Sequence, residues 1–165
     1  MAAPSISHFE MEEITMSVKS QEKNMRKLAD LLSHDLSYIG GERESGPNGD
    51  KKVFLDTGKT FLRALAKDLG LRNVKVSAEP GGIAVSGDCT LMGMWENNGI
   101  HIQISQSCCG GDCTVLYRAV RHSRDYTGGQ NHWLTRNDLA EKSYAQLLEV
   151  FSALRAGGAS YERAA

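Results

Sequence analysis

Residues 97–105 read NNGIHIQIS, and the architecture follows from them. Asn97-Asn98-Gly99 supplies residues that tolerate the backbone of a tight hairpin. Ile100, Ile102 and Ile104 then alternate with His101, Gln103 and Ser105, the period of a strand with one dry and one wet face. Upstream, residues 89–95 read as the partner strand, preceded by a turn or bulge at Gly87-Asp88 and a strand over residues 83–86. Glu79-Pro80-Gly81-Gly82 is a turn, and Val74 and Val76 mark the strand before it. Downstream, a loop over residues 107–112 leads into a last strand over residues 114–121, rich in β-formers. The expectation is an antiparallel meander of four to five strands.

Helical periodicity flanks the meander. Val18, Met25, Leu32 and Ile39 recur every seventh residue with Leu28 and Leu36 beside them, which predicts an amphipathic helix over residues 16–41 after a flexible arm, residues 1–15. That stripe packs on its own domain or, alternatively, docks a protein partner through Val18, Met25 and Leu32. Residues 42–52 (ERESGPNGDKK) read as a breaker-rich linker. Asp56 or Thr57 then caps a helix through Leu62, Leu65, Ala66 and Leu69 that stops at Gly70. Thr135 to Asp138 has the spacing of a capping box, and Ala140, Tyr144, Leu147, Leu148, Phe151 and Leu154 give the following helix an apolar face up to Gly157-Gly158. The prediction is therefore an α+β sheet domain over residues 53–156, covered by helices on its isoleucine face, with a flexible tail at 157–165.

The 165 residues, 41% apolar and 24% charged, suit one core. Net charge is −1, spread unevenly: residues 1–50 carry nine acids against five bases, while residues 51–75 carry seven bases against two acids. So mild a polarity excludes a strong nonspecific polyanion binder. The acidic N-terminus has no signal-peptide pattern and no segment reaches membrane-spanning length, so the expected compartment is the cytoplasm, where four cysteines stay reduced.

Three motifs invite chemistry. Asp56-Thr57-Gly58 has the tripeptide of retroviral-type aspartic proteases, but the helical residues after it suit a capped helix start instead. Gly58-Lys59-Thr60 ends like a phosphate-binding loop, yet Val53 stands where the first glycine belongs. Cys108, Cys109 and Cys113 have the spacing of one half of a zinc site, but no second pair of ligands occurs, so a glycine-rich loop with free thiols is the simpler expectation and no cofactor is required.

The densest polar stretch is residues 117–136, YRAVRHSRDYTGGQNHWLTR. Arg118, Arg121 and Arg124 offer bidentate recognition of phosphate or carboxylate. Tyr126, His132 and Trp133 offer rings for stacking, and Gly128 and Gly129 allow close backbone approach, with His122 and Asn131 beside them. These ten residues are the candidate site for a nucleic acid, a nucleotide or an acidic protein surface. The alternative is a loop pinned by its own polar network, with Asp125 pairing an arginine. His122 or His132 has the chemistry of a general base, but no nucleophile with an oriented base accompanies them, and the residues argue more for binding than for catalysis.

Residues 81–95 (GGIAVSGDCTLMGMW), 99–105 (GIHIQIS) and 116–133 (LYRAVRHSRDYTGGQNHW) resemble uncharacterised small accessory proteins of phages, plasmids and other mobile elements, in which an arginine-rich strand end precedes DYTGG-x-N. The likeness spans roughly residues 53–151. It implies a setting, the cytoplasm of a bacterial host, and carries no catalytic residues. In that setting the expected function is a non-catalytic protein engaging nucleic acid or a nucleoprotein partner, including inhibition of a restriction or CRISPR defence. The alternatives are an enzyme or sequestering protein acting on a nucleotide-like small anion, and a protein–protein inhibitor acting through the N-terminal helix.

Overall fold

The computed structural model describes residues 7–36, 49–82, 85–106 and 112–156. Helix α1, His8–Leu31, leads into α2, Gly49–Asp68. Strands β1, Arg72–Glu79, β2, Asp88–Met94, β3, Gly99–Ser105, β4, Cys113–Val120, and β5, His132–Thr135, form one antiparallel sheet in sequence order. Helices α3, Arg136–Glu141, and α4, Tyr144–Ala156, end the described chain. This is an α+β fold with an N-terminal helix. Among the described residues no helix is long and apolar enough to cross a membrane.

The period-two reading of residues 97–105 places the core. Ile100, Ile102 and Ile104 are buried, and register puts Ile102 between Leu91 and Tyr117 on the same face. Helices α1, α2 and α4 supply the other layer through Met25, Leu28, Phe54, Phe61, Leu65, Leu147 and Phe151. Helix α2 can lie close because Gly58 has no side chain: a Cβ there would sit 2.4 Å from the Cys89 Sγ. Val18, Met25 and Leu32 belong to this packing, with Met25 and Leu32 buried, so the described part of the seventh-residue stripe packs inside the chain and offers no partner surface at those two positions.

Several boundaries differ from the sequence reading. Helix α1 begins eight residues before the expected position, because Ser7 and Glu10 form a reciprocal capping box, and it ends at Leu31 rather than near residue 41. Ile39 and Gly40-Gly41 lie outside the described residues. Helix α2 starts inside the supposed linker, so Asp56 and Thr57 are mid-helix residues and cap nothing. Lys51 explains part of this: its buried ammonium donates to the carbonyls of Val85 (2.9 Å) and Gly82 (3.3 Å), tying the helix to the loop after β1. Val85 and Ser86 belong to no strand, and β1 pairs directly with β2, while the short β5 takes the vacated place in the count.

The expected Thr135–Asp138 capping box is present. The helix it starts nevertheless breaks at Lys142-Ser143. Arg26 of α1 donates to the carbonyls of Leu139 and Lys142, both at 2.8 Å, and Ser143 with Gln146 caps a new helix. Glu22 accepts the Tyr144 amide at 3.1 Å, completing that start.

Candidate functional site

With the helices on one face, the other face of the sheet is open. Alternation and register set its side chains in rows that cross the strands. One row runs Lys75, Met92, His101, Arg118; the next runs Ser77, Thr90, Gln103, Leu116, Trp133; a third carries Glu79, Asp88 and Ser105. The face is thus cationic at the first row and acidic at the third.

The polar loop between β4 and β5 folds over the cationic end. Arg118 is 7% exposed and donates to the main-chain carbonyls of Asp125 (2.7 Å) and Gly128. Asp125 is 2% exposed, and its carboxylate accepts from the Arg121 amide (3.0 Å), Arg121 Nε (3.0 Å) and Nη2 (3.3 Å), and the Gly128 amide (2.7 Å). The Arg121 guanidinium, then the backbone donors, hold this carboxyl well below the usual carboxylate range. Gly128 is required by that approach, since a Cβ would lie 2.1 Å from Asp125 Oδ2, and Gly129 turns the chain at φ 84°. The pinned-loop expectation therefore describes Arg118, Arg121, Asp125 and Gly128.

The remaining members separate. His122 is exposed, and its Nδ1 accepts the Arg124 amide at 3.2 Å. His132 stacks on Tyr117 at 5.2 Å between ring centres, and Tyr117 in turn meets the edge of Phe151. His132 therefore belongs to the helix-facing side, away from His122. Trp133 is 37% exposed on the open face, and Asn131 is exposed. Only Arg124 and Tyr126, the latter 77% exposed, reach over the sheet. Together with Ser123 they roof a hollow of about 400 Å³ whose floor and walls are Asn73, Lys75, Ser77, Thr90, Met92 and His101.

Its chemistry is cationic and polar. Lys75 and Arg124 carry charge, no carboxylate among the described residues lines it, and Ser77 and Thr90 share a hydroxyl pair at 2.7 Å. His101 lies outside the ten binding residues expected from the sequence. Burial, and then the Arg118 charge beside it, press its imidazole down to about 4, so the ring is neutral at physiological pH. Its Nδ1 is buried with no partner among the described residues. The alternation that placed His101 on the wet face was the available signal; what it lacked was the loop that comes to lie over that face.

Cys108 and Cys109 lie outside the described residues, and Cys113 is a partly buried free thiol. Among the described residues no three His, Cys, Asp or Glu side chains gather as metal ligands. No family model, curated protein or solved structure matches the chain.

Proposed function

We propose that the chain is a non-catalytic binding protein that engages nucleic acid through the open sheet face beneath the β4–β5 loop. The observation that carries this reading is the hollow itself: Lys75 and Arg124 stand at it without an acidic neighbour among the described residues of its lining, and the exposed Tyr126 ring offers a platform for a base. The rigid Asp125 network supports the same reading, because a prefixed loop loses little entropy when a ligand arrives. Arg118 and Arg121 act here as scaffold, and the contact residues are Lys75, Arg124, Tyr126 and His101. In the setting that the resemblance implies, the natural partner is the nucleic-acid component of a host defence complex.

The test is fluorescence anisotropy of labelled single-stranded DNA and RNA against wild-type protein and the Lys75→Ala/Arg124→Ala double variant, at two salt concentrations. Both side chains are exposed, so the variant should melt like the wild type. The reading predicts salt-weakened binding that drops about tenfold or more in the variant. Equal binding by both proteins, or none by either, refutes it. A second reading, capture of a free nucleotide-like anion, is favoured by the size of the hollow, since about 400 Å³ is at the small-molecule scale; a nucleotide-dependent rise in melting temperature without oligonucleotide binding would select it.

A further inference from the structure

We infer that the hollow takes the end of a nucleic-acid strand, a single terminal nucleotide bearing a phosphate, and not the interior of a running strand. This rests on the nucleic-acid reading above. Three walls carry it. Along the first row, the path from Lys75 over Met92 and His101 runs into Arg118, whose guanidinium is fastened to the carbonyls of Asp125 and Gly128. A strand cannot continue in that direction without tearing the loop from the sheet. Along the strands, the open face turns acidic within a few residues: Glu79 and Asp88 stand directly opposite one another, with Asp88 held by Gln103 at 3.1 Å. Phosphates following the face that way would meet two carboxylates. Above, Ser123, Arg124 and Tyr126 form the roof.

Toward the other strand ends the row of Met94, Gly99 and Val120 is closed, Gly99 and Val120 being buried, so the remaining approach is over β1, the edge strand, where Asn73 and Lys75 stand. Entry without an exit suits an end. A volume of about 400 Å³ fits one nucleotide rather than several. Lys75 and Arg124 then bracket the terminal phosphate, where a monoester carries more charge than an internal diester. Beside them His101 lines the hollow, and its Nδ1 is buried with no partner among the described residues. That nitrogen is closed to solvent, so a terminal base would meet the exposed part of the ring rather than Nδ1.

The experiment compares three probes of one short single-stranded DNA sequence with full-length protein: linear with a terminal phosphate (5′ and 3′ forms separately), linear with hydroxyl ends, and covalently circular. The expected result is that one phosphorylated form binds at least about tenfold more tightly than the circle, with the hydroxyl-ended strand between them. Its salt slope should correspond to roughly one or two phosphates, and Arg124→Ala should erase the preference for the end. Binding of the circle as tightly as the phosphorylated strand overturns the inference while leaving nucleic-acid binding in place. Failure of all three probes overturns both. A His101→Gln variant that keeps its melting temperature provides the second readout: a changed preference among terminal bases supports base contact at this ring, and an unchanged preference with unchanged affinity removes His101 from the site.

Discussion

Replacing Asp125 by asparagine should loosen the loop that roofs the hollow without touching the hollow itself. The carboxylate accepts four hydrogen bonds, two of them from the Arg121 guanidinium and two from main-chain amides. Asparagine keeps one oxygen, enough for the Gly128 amide, and turns an NH2 toward donors that can only repel it. Hydrogen bonds to charged groups contribute about 1.5–3 kcal/mol each, but the Arg121 side chain is 56% exposed and regains water, which limits the loss. A net cost of about 2–4 kcal/mol follows, which for a chain of this size lowers the melting temperature by about 5–15 °C. The pH dependence has a definite sign. Because the folded carboxyl lies below its unfolded value, its contribution is complete above the ordinary carboxylate range near 4 and is lost only as pH falls through the depressed folded value. The gap between wild type and Asp125→Asn should therefore stay constant from about pH 5 to about pH 8 and narrow in strong acid. Differential scanning fluorimetry across that range is the assay. A variant that melts with the wild type at every pH would show that this carboxylate does not hold the loop.

Two further outcomes follow from the packing and the open face. Gly58→Ala should destabilise by about 1–3 kcal/mol in urea unfolding even though alanine favours helices, because the new methyl collides with Cys89; adding Cys89→Ala should recover part of that loss, and simple additivity would deny the close approach. His101 works in the same direction as Asp125 but in a higher window: its folded value, about 4, lies below the unfolded 6.5, so the unfolded chain binds the extra proton and stability falls as pH drops from about 6.5 toward 4. The loss approaches roughly 3 kcal/mol at the acid end, less whatever water screens, and His101→Gln should flatten that part of the profile.

Much of the fold was legible because alternation is a local property. Ile100, Ile102 and Ile104 needed only their neighbours to announce a dry face, and Thr135 with Asp138 announced a helix start in the same way. The failures came where a distant group decides. Nothing local at Lys142-Ser143 says that Arg26, far back in the chain, will take up the carbonyls there and break the helix. Helix α1 started early because Ser7 and Glu10 close a capping box whose spacing was readable, but the helical turns after it are exposed and carry no stripe that packing would require. The short β5 was hidden between a polar loop and a helix cap, and only pairing with β4 makes it a strand.

The candidate site divides along the same line. Tyr126 and Arg124 were recognisable as exposed contact chemistry, and Asp125 as a partner for an arginine. The sequence of the loop could not say which arginine would be spent on structure, since Arg118, Arg121 and Arg124 are chemically alike and differ only in what lies within reach. Lys75 and His101, contributed by β1 and β3, reach the hollow through strand register. That is why six of the nine lining residues were absent from a reading centred on one stretch of chain.

The most direct measurement of the central claim is an NMR titration of labelled protein with a short 5′- or 3′-phosphorylated single-stranded oligonucleotide. Binding beneath the loop predicts shifts gathered at Asn73, Lys75, Thr90, Met92, His101, Arg124 and Tyr126, with the helix residues Phe61, Leu147 and Phe151 unmoved. Shifts concentrated on the helices, or an unchanged spectrum at saturating oligonucleotide, would contradict it.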